Sequence, residues 1–175
     1  MEKRTVYLDN NATTPLHPAV KEKIKESLDY FGNPSSAYTI GREVNFLLKQ
    51  ARQYAADFLN ASPDEIIFTS CGSESNNTVL KSCARNVKKQ GKKHFITSKI
   101  EHPAIMHTLE LMKRDDDIDV TYLDVDSYGL VNPDDLEKAI RPETVLVSVM
   151  FANNEIGTVR SEERRVGKEC RSRWS

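Results

Sequence analysis

The feature that most limits how this chain can fold is an alternation of apolar runs and helical segments between residues 65 and 150. EIIFT (65–69), HFIT (94–97), VTYL (120–123) and TVLVSVM (144–150) are short and rich in Ile, Val, Phe and Thr. Segments 73–89, 103–113 and 132–140 lie between them and read as helices, the last opened by NPDD with a proline and acidic residues in its first turn. Strands that alternate with helices form βαβ units, because a parallel pair needs a crossover connection. The expected fold is therefore α/β: a mostly parallel sheet with flanking helices. Upstream, TVYLD (5–9) reads as an extended run. Val20, Ile24 and Leu28 recur at helical spacing over 17–30. FGNPSS (31–36) reads as a loop, and Val44, Leu47, Leu48, Ala51, Ala55 and Leu59 mark one face of a longer helix that Asn60 can close.

Composition narrows the class. Of 175 residues, 38% are hydrophobic and 29% charged, as in ordinary globular proteins, and one domain is the default count. The formal net charge of −1 gives no basic field for nucleic acid. No apolar run approaches the roughly 18–20 residues needed to cross a bilayer, and the charged N-terminus lacks a signal-peptide core. Cys71, Cys83 and Cys170 are sparse and without metal-ligand spacing, which suits a reducing cytoplasm. No metal site is expected.

Residues 160–175, RSEERRVGKECRSRWS, differ from everything before them. Arginine is crowded, apolar periodicity is absent and the only Trp of the chain is here. The segment reads as a non-native tail, translated from DNA-sequencing adapter, because adapter codons beginning AGA TCG GAA GAG CGT give these residues in order. Set aside, it takes six basic and three acidic residues with it, leaving 19 basic and 23 acidic side chains and a net charge of −4. The expected organisation is then one truncated domain over 1–159 and the tail over 160–175.

Ligands of open α/β sheets bind beyond the carboxyl ends of the strands. SCGSESNN (70–77) follows the first run. Gly72 permits close backbone approach, Ser73 offers a hydroxyl, and a helix N-terminus supplies free amides, so the segment reads as a phosphate cup. A plain capped βα turn has the same composition. His102 in SKIEHPAI follows the second run, just before the proline that starts a helix. Asn153, Asn154 and Glu155 in FANNEIGT follow the last. Taken singly, each also fits an ordinary turn or cap. Together with the early loop DNNATTP they form four polar clusters that can converge on one crevice.

In order along the chain, YLDNNATTP, FGNPSS with Gly41-Arg42, IIFTSCGSESNN, SKIEHPAI and VSVMFANNEIGT resemble the N-terminal motifs of cysteine desulfurases. These are fold-type I, pyridoxal 5′-phosphate (PLP) dependent enzymes of the class V aminotransferase superfamily that supply sulfur for iron–sulfur clusters. The resemblance covers residues 5 to about 159. It implies that Gly72 and Ser73 hold the cofactor phosphate and that His102 stacks on the pyridine ring and moves protons. It also implies that Asn154, or less readily Asn153, bonds the phenolic oxygen. Asn33 falls where the family approaches the substrate carboxylate, and Tyr38 where many relatives have His. Cys71 belongs to the phosphate turn and is not the nucleophile. Further implications are L-cysteine as substrate, L-alanine and a persulfide as products, a sulfur-accepting iron–sulfur scaffold as partner, and a homodimer. The family's cofactor lysine follows a histidine, and no His-Lys pair occurs here, so the chain is expected to break off before the lysine and the nucleophilic cysteine and to be inactive alone. A selenocysteine lyase or another class V enzyme is the neighbouring reading. A nucleotide-binding module lacks GxGxxG and GxxxxGK[ST], and a non-catalytic scaffold is the remaining class.

Overall fold

The computed structural model describes residues 6–87, 91 and 93–159. Residue 5 of the first extended run, residues 88–89 of the third expected helix and the whole 160–175 tail with Cys170 lie outside the described residues. The chain divides into two compact units, Met1–Phe68 and Thr69–Ser175.

The first unit is helical. Helix α1 (Pro18–Ser27) starts on a proline at its first position, where the ring costs no hydrogen bond. His17 caps it, its Nδ1 accepting from the Ala19 amide at 3.3 Å. Helix α2 (Thr39–Leu59) ends as the sequence predicts, at Asn60 in the left-handed conformation (φ 52°, ψ 47°). Gly41 is required by a close approach: a Cβ there would meet the Asn33 carbonyl oxygen at 2.7 Å and Ser36 at 2.8 Å. A single 3-10 turn, Pro63–Glu65, follows.

Two extended runs differ from expectation. Residues 6–9 belong to no strand, and neither do residues 66–69 of EIIFT. Ile67 and Phe68 are 76% and 51% exposed. A strand exists only through ladder bonds to a neighbour, and among the described residues nothing pairs with this run. It lies along α2 instead. Arg52 donates to the Ile66 carbonyl at 3.3 Å and its guanidinium stands 5.3 Å from the centre of the Phe68 ring.

The second unit has the expected βαβ order. It contains α3 (Gly72–Val87), β1 (His94–Ser98), α4 (Pro103–Asp115), β2 (Asp119–Leu123), α5 (Pro133–Ala139) and β3 (Thr144–Ser148). The three strands form one parallel sheet in the order β2-β1-β3, so β1 is central. All five β1 residues are buried, as a central parallel strand requires. Leu80 of α3, Phe95 of β1, Ile105, Leu109 and Met112 of α4, and Ile118 make the core, with Cys83 packed against it as a small apolar residue. Each such side chain contributes about 1.5–3 kcal/mol through burial. Among the described residues no helix is long and apolar enough to cross a membrane, and no cluster of His, Cys, Asp and Glu could hold a metal ion.

Candidate functional site

In a parallel sheet with helical crossovers, the loop after every strand emerges at one edge. Helix α3 precedes the central strand β1 and packs against α4 and β3. Its first backbone bond runs from the Ser75 amide to the Cys71 carbonyl at 3.1 Å. The amides of Gly72, Ser73 and Glu74 therefore precede the helical ladder, and the positive end of the helix dipole lies there. A Cβ at Gly72 would meet nothing within 4 Å. Room at this position is thus not taken up by the protein, and exposed Ser73 adds a hydroxyl beside it. The dipole end, the Ser73 hydroxyl and the open space are what this turn offers a phosphate group, while the Ser73 and Glu74 amides turn to the Cys71 sulfur.

Side chains hold the turn in shape. Thr69 and Ser75 hydroxyls are 2.6 Å apart, and the Thr69 hydroxyl donates to the Cys71 carbonyl at 3.2 Å. The Glu74 carboxylate accepts from the Ser70 hydroxyl at 2.6 Å and the Ser70 amide at 2.7 Å, which keep its pKa below the ordinary carboxylate value. Hydrogen bonds from the Glu74 backbone, the Ser70 hydroxyl and the Ser73 backbone lower the pKa of the exposed Cys71 thiol. Cys71 is therefore a capping group of this turn.

His102 follows β1 and is the N-cap of α4, with φ −61° and ψ 144°. Its Nδ1 accepts from the Ala104 amide at 3.0 Å. In the neutral ring that assigns the proton to Nε2, on an exposed imidazole. The adjacent Glu101 carboxylate accepts from the Ser98 hydroxyl at 2.7 Å and from the Met150 amide, just beyond β3, at 2.8 Å.

The two asparagines after β3 have different surroundings. Asn153 is 7% exposed. Its Nδ2 donates to the Ile100 carbonyl at 3.0 Å and lies 3.2 Å from the Met150 sulfur. Its Oδ1 accepts from the Glu155 and Ile156 amides at 2.9 and 3.0 Å. Asn154 is exposed, and its Nδ2 donates to Glu155 at 3.0 Å. So His102 and Asn154 stand on loops that leave neighbouring parallel strands, and Gly72 and Ser73 open α3, which packs against β3.

Asn33 belongs to the first unit. It is exposed, its Oδ1 accepts from the Ser35 amide at 2.9 Å, and its carbonyl accepts from the Ser36 amide at 3.0 Å. It closes the FGNPSS turn that Gly41 abuts. Tyr38 is the N-cap residue of α2 and makes no side-chain capping bond. Sequence reasoning passed over Glu101 as a functional residue. The available signal was a carboxylate placed between a strand end and a helix cap, where amides leave the ladder.

The aminotransferase class-V family profile matches residues 6–173, a span that enters the 160–175 segment. "Cysteine desulfurase IscS" of Methanosarcina thermophila is 49% identical over 162 residues, which cover 90% of this chain and 39% of that protein. "Cysteine desulfurase IscS" of Dictyoglomus turgidum is 47% identical over 170 residues, 95% of this chain and 43% of that protein. The chain thus spans about two fifths of the length of these relatives. Among solved structures, a "NIFS-LIKE PROTEIN" superposes with a TM-score of 0.87 at 41% identity, covering 94% of this chain and 45% of that one. "SspA in complex with cysteine" gives a TM-score of 0.87 at 39% identity, covering 95% of this chain and 48% of the other. The small parallel sheet with its flanking helices is the α/β fold of the NifS-like, PLP-dependent enzymes. On the family match across nearly its whole length, the chain belongs to the class-V aminotransferase family.

Proposed function

We propose that this chain is the N-terminal part of a PLP-dependent cysteine desulfurase, which converts L-cysteine to L-alanine and passes the sulfur, as an enzyme persulfide, to an iron–sulfur scaffold protein. The observation that carries the reading is the carboxyl edge of the sheet. His102 and Asn154 stand on its adjoining loops, and the helix that Gly72 and Ser73 open packs against the strand Asn154 follows. The names of the relatives, and a structural neighbour described in complex with cysteine, support this choice of substrate.

Gly72 and Ser73 would hold the cofactor phosphate through backbone amides and a hydroxyl. Asn154 is the exposed amide available to the phenolic oxygen, because the polar atoms of Asn153 are engaged within the protein. When bound, PLP supplies an electron sink for the bonds at the substrate α-carbon. His102 would carry protons at Nε2, since Nδ1 is held by the Ala104 amide. Asn33 is assigned to the substrate carboxylate by family resemblance. Cys71 is a capping residue in this reading, and the sulfur-accepting cysteine and the cofactor lysine come from sequence beyond this chain, in an enzyme that works as a homodimer.

The test uses the protein extended to the length of its relatives. With L-cysteine it should form alanine and protein persulfide in equal amounts, and Cys71→Ala should keep that activity. Loss of activity in Cys71→Ala, with the protein folded and PLP bound, would put the nucleophile in this half and overturn the assignment.

A further inference from the structure

We infer that Glu101 and Asn153 are positioning residues that lock the loop carrying His102 to the loop carrying Asn154. The inference rests on the roles proposed for His102 and Asn154. The ladder between β1 and β3 ends at the pair Thr97 and Ser148. Beyond those residues no strand pairing can hold the two loops together, and side chains take over in sequence. The Thr97 hydroxyl donates to the Ser148 carbonyl at 2.8 Å. Next, the Glu101 carboxylate receives the Met150 amide from the far loop while it also receives the Ser98 hydroxyl from its own. Asn153 then donates back to the Ile100 carbonyl, and its Oδ1 gathers the Glu155 and Ile156 amides, on either side of which the loop must turn.

The braces sit one residue from each group they serve. Glu101 precedes His102 and Asn153 precedes Asn154. Fixing the backbone at 101 and 153 fixes the separation of the two functional side chains without engaging either one. A group that moves protons and a group that bonds the same ligand must keep their spacing, because displacements on the order of 1 Å cost roughly a hundredfold in rate.

The experiment uses the protein extended to the length of its relatives. Glu101→Ala should lower kcat by about tenfold to a hundredfold, with KM and PLP absorbance little changed. It should also speed amide hydrogen exchange at Glu155 and Ile156, which Glu101 does not touch, by about tenfold. Glu101→Gln keeps an acceptor oxygen and should restore both. In a His102→Ala background the penalty on kcat should shrink to less than half on a logarithmic scale, since only Asn154 is left to position. Unchanged exchange at Glu155 and Ile156, or a penalty that persists in full beside His102→Ala, overturns the inference. Should His102→Ala itself leave turnover intact, the proposed role of His102 fails, and the exchange rates alone decide whether the brace exists.

Discussion

Helix α2 of the first unit and helix α4 of the second both carry apolar residues at helical spacing, yet α2 buries only Gly41 and Ala56, whereas α4 buries Ile105, Thr108, Leu109 and Met112. The difference is in what each helix has to pack on. Helix α4 covers a parallel sheet whose central strand is fully buried. The first unit has no strand among its described residues, and Phe46, Tyr54 and Phe58 of α2 are exposed. An amphipathic stripe makes a helix and marks the face to be covered; a core forms only where a second layer exists to cover it.

Core truncation should break the comparison most clearly. Leu109→Ala, at a fully buried position, should cost about 2–5 kcal/mol in chemical denaturation. Phe58→Ala, where the ring is 89% exposed, should change stability by less than about 0.5 kcal/mol. Equal losses at the two positions would mean that the first unit has a core of its own.

Gly41 is the exception within the first unit. Its missing Cβ lets α2 approach the Asn33–Ser36 turn. Gly41→Ala forces a carbonyl oxygen and a side chain apart and should cost about 1–3 kcal/mol, measured by the same denaturation. An unchanged midpoint would show that the turn moves freely.

The second unit should also respond to acid. His94 is fully buried in β1, its Nδ1 2.8 Å from the Thr144 hydroxyl and its Nε2 2.8 Å from the Thr121 hydroxyl. Burial first, and then the nearby Arg141, lower its pKa, against a smaller opposing pull from Glu143. The folded state therefore favours the neutral ring, and the unfolded state binds the extra proton. Stability from this group is complete above the unfolded histidine value of roughly 6.5 and declines as pH falls toward the lower folded value. Denaturation midpoints between pH 7 and 5 should fall in the parent chain and fall less steeply in His94→Asn. Parallel pH profiles would remove His94 from the account.

The second unit was the more legible one in sequence, and the physical reason is the same as for its packing. Its central strand is buried on both faces and its neighbour β3 is half-buried, and both read as largely apolar runs, HFIT and TVLVSVM. Its helix starts carry Pro after a capping residue at His102 and Asn132. EIIFT is apolar and β-branched like those strands but has no paired strand beside it among the described residues. Local sequence does not report a partner's absence. Motif order proposes Gly72, Ser73, His102 and Asn154, but a His-Pro-Ala cap also occurs at His17, which makes the same Nδ1 bond at the start of α1. The cap alone therefore could not distinguish His102. The division of labour between Asn153 and Asn154 was hidden as well, because it depends on which side chain turns inward to the Ile100 carbonyl.

The central claim is that the Gly72 end of α3 holds the cofactor phosphate while His102 serves the chemistry. PLP dissociation, followed by absorbance in the protein extended to the length of its relatives, tests it directly by comparing Gly72→Val with His102→Ala. A Cβ at this position meets nothing within 4 Å, so the fold should survive while the valine obstructs the cup. Gly72→Val should weaken PLP retention by about tenfold to a hundredfold, the scale of a lost charge-assisted hydrogen bond, and His102→Ala should keep PLP and lose turnover. Undiminished PLP retention in Gly72→Val would show that the phosphate is held elsewhere and would contradict the account.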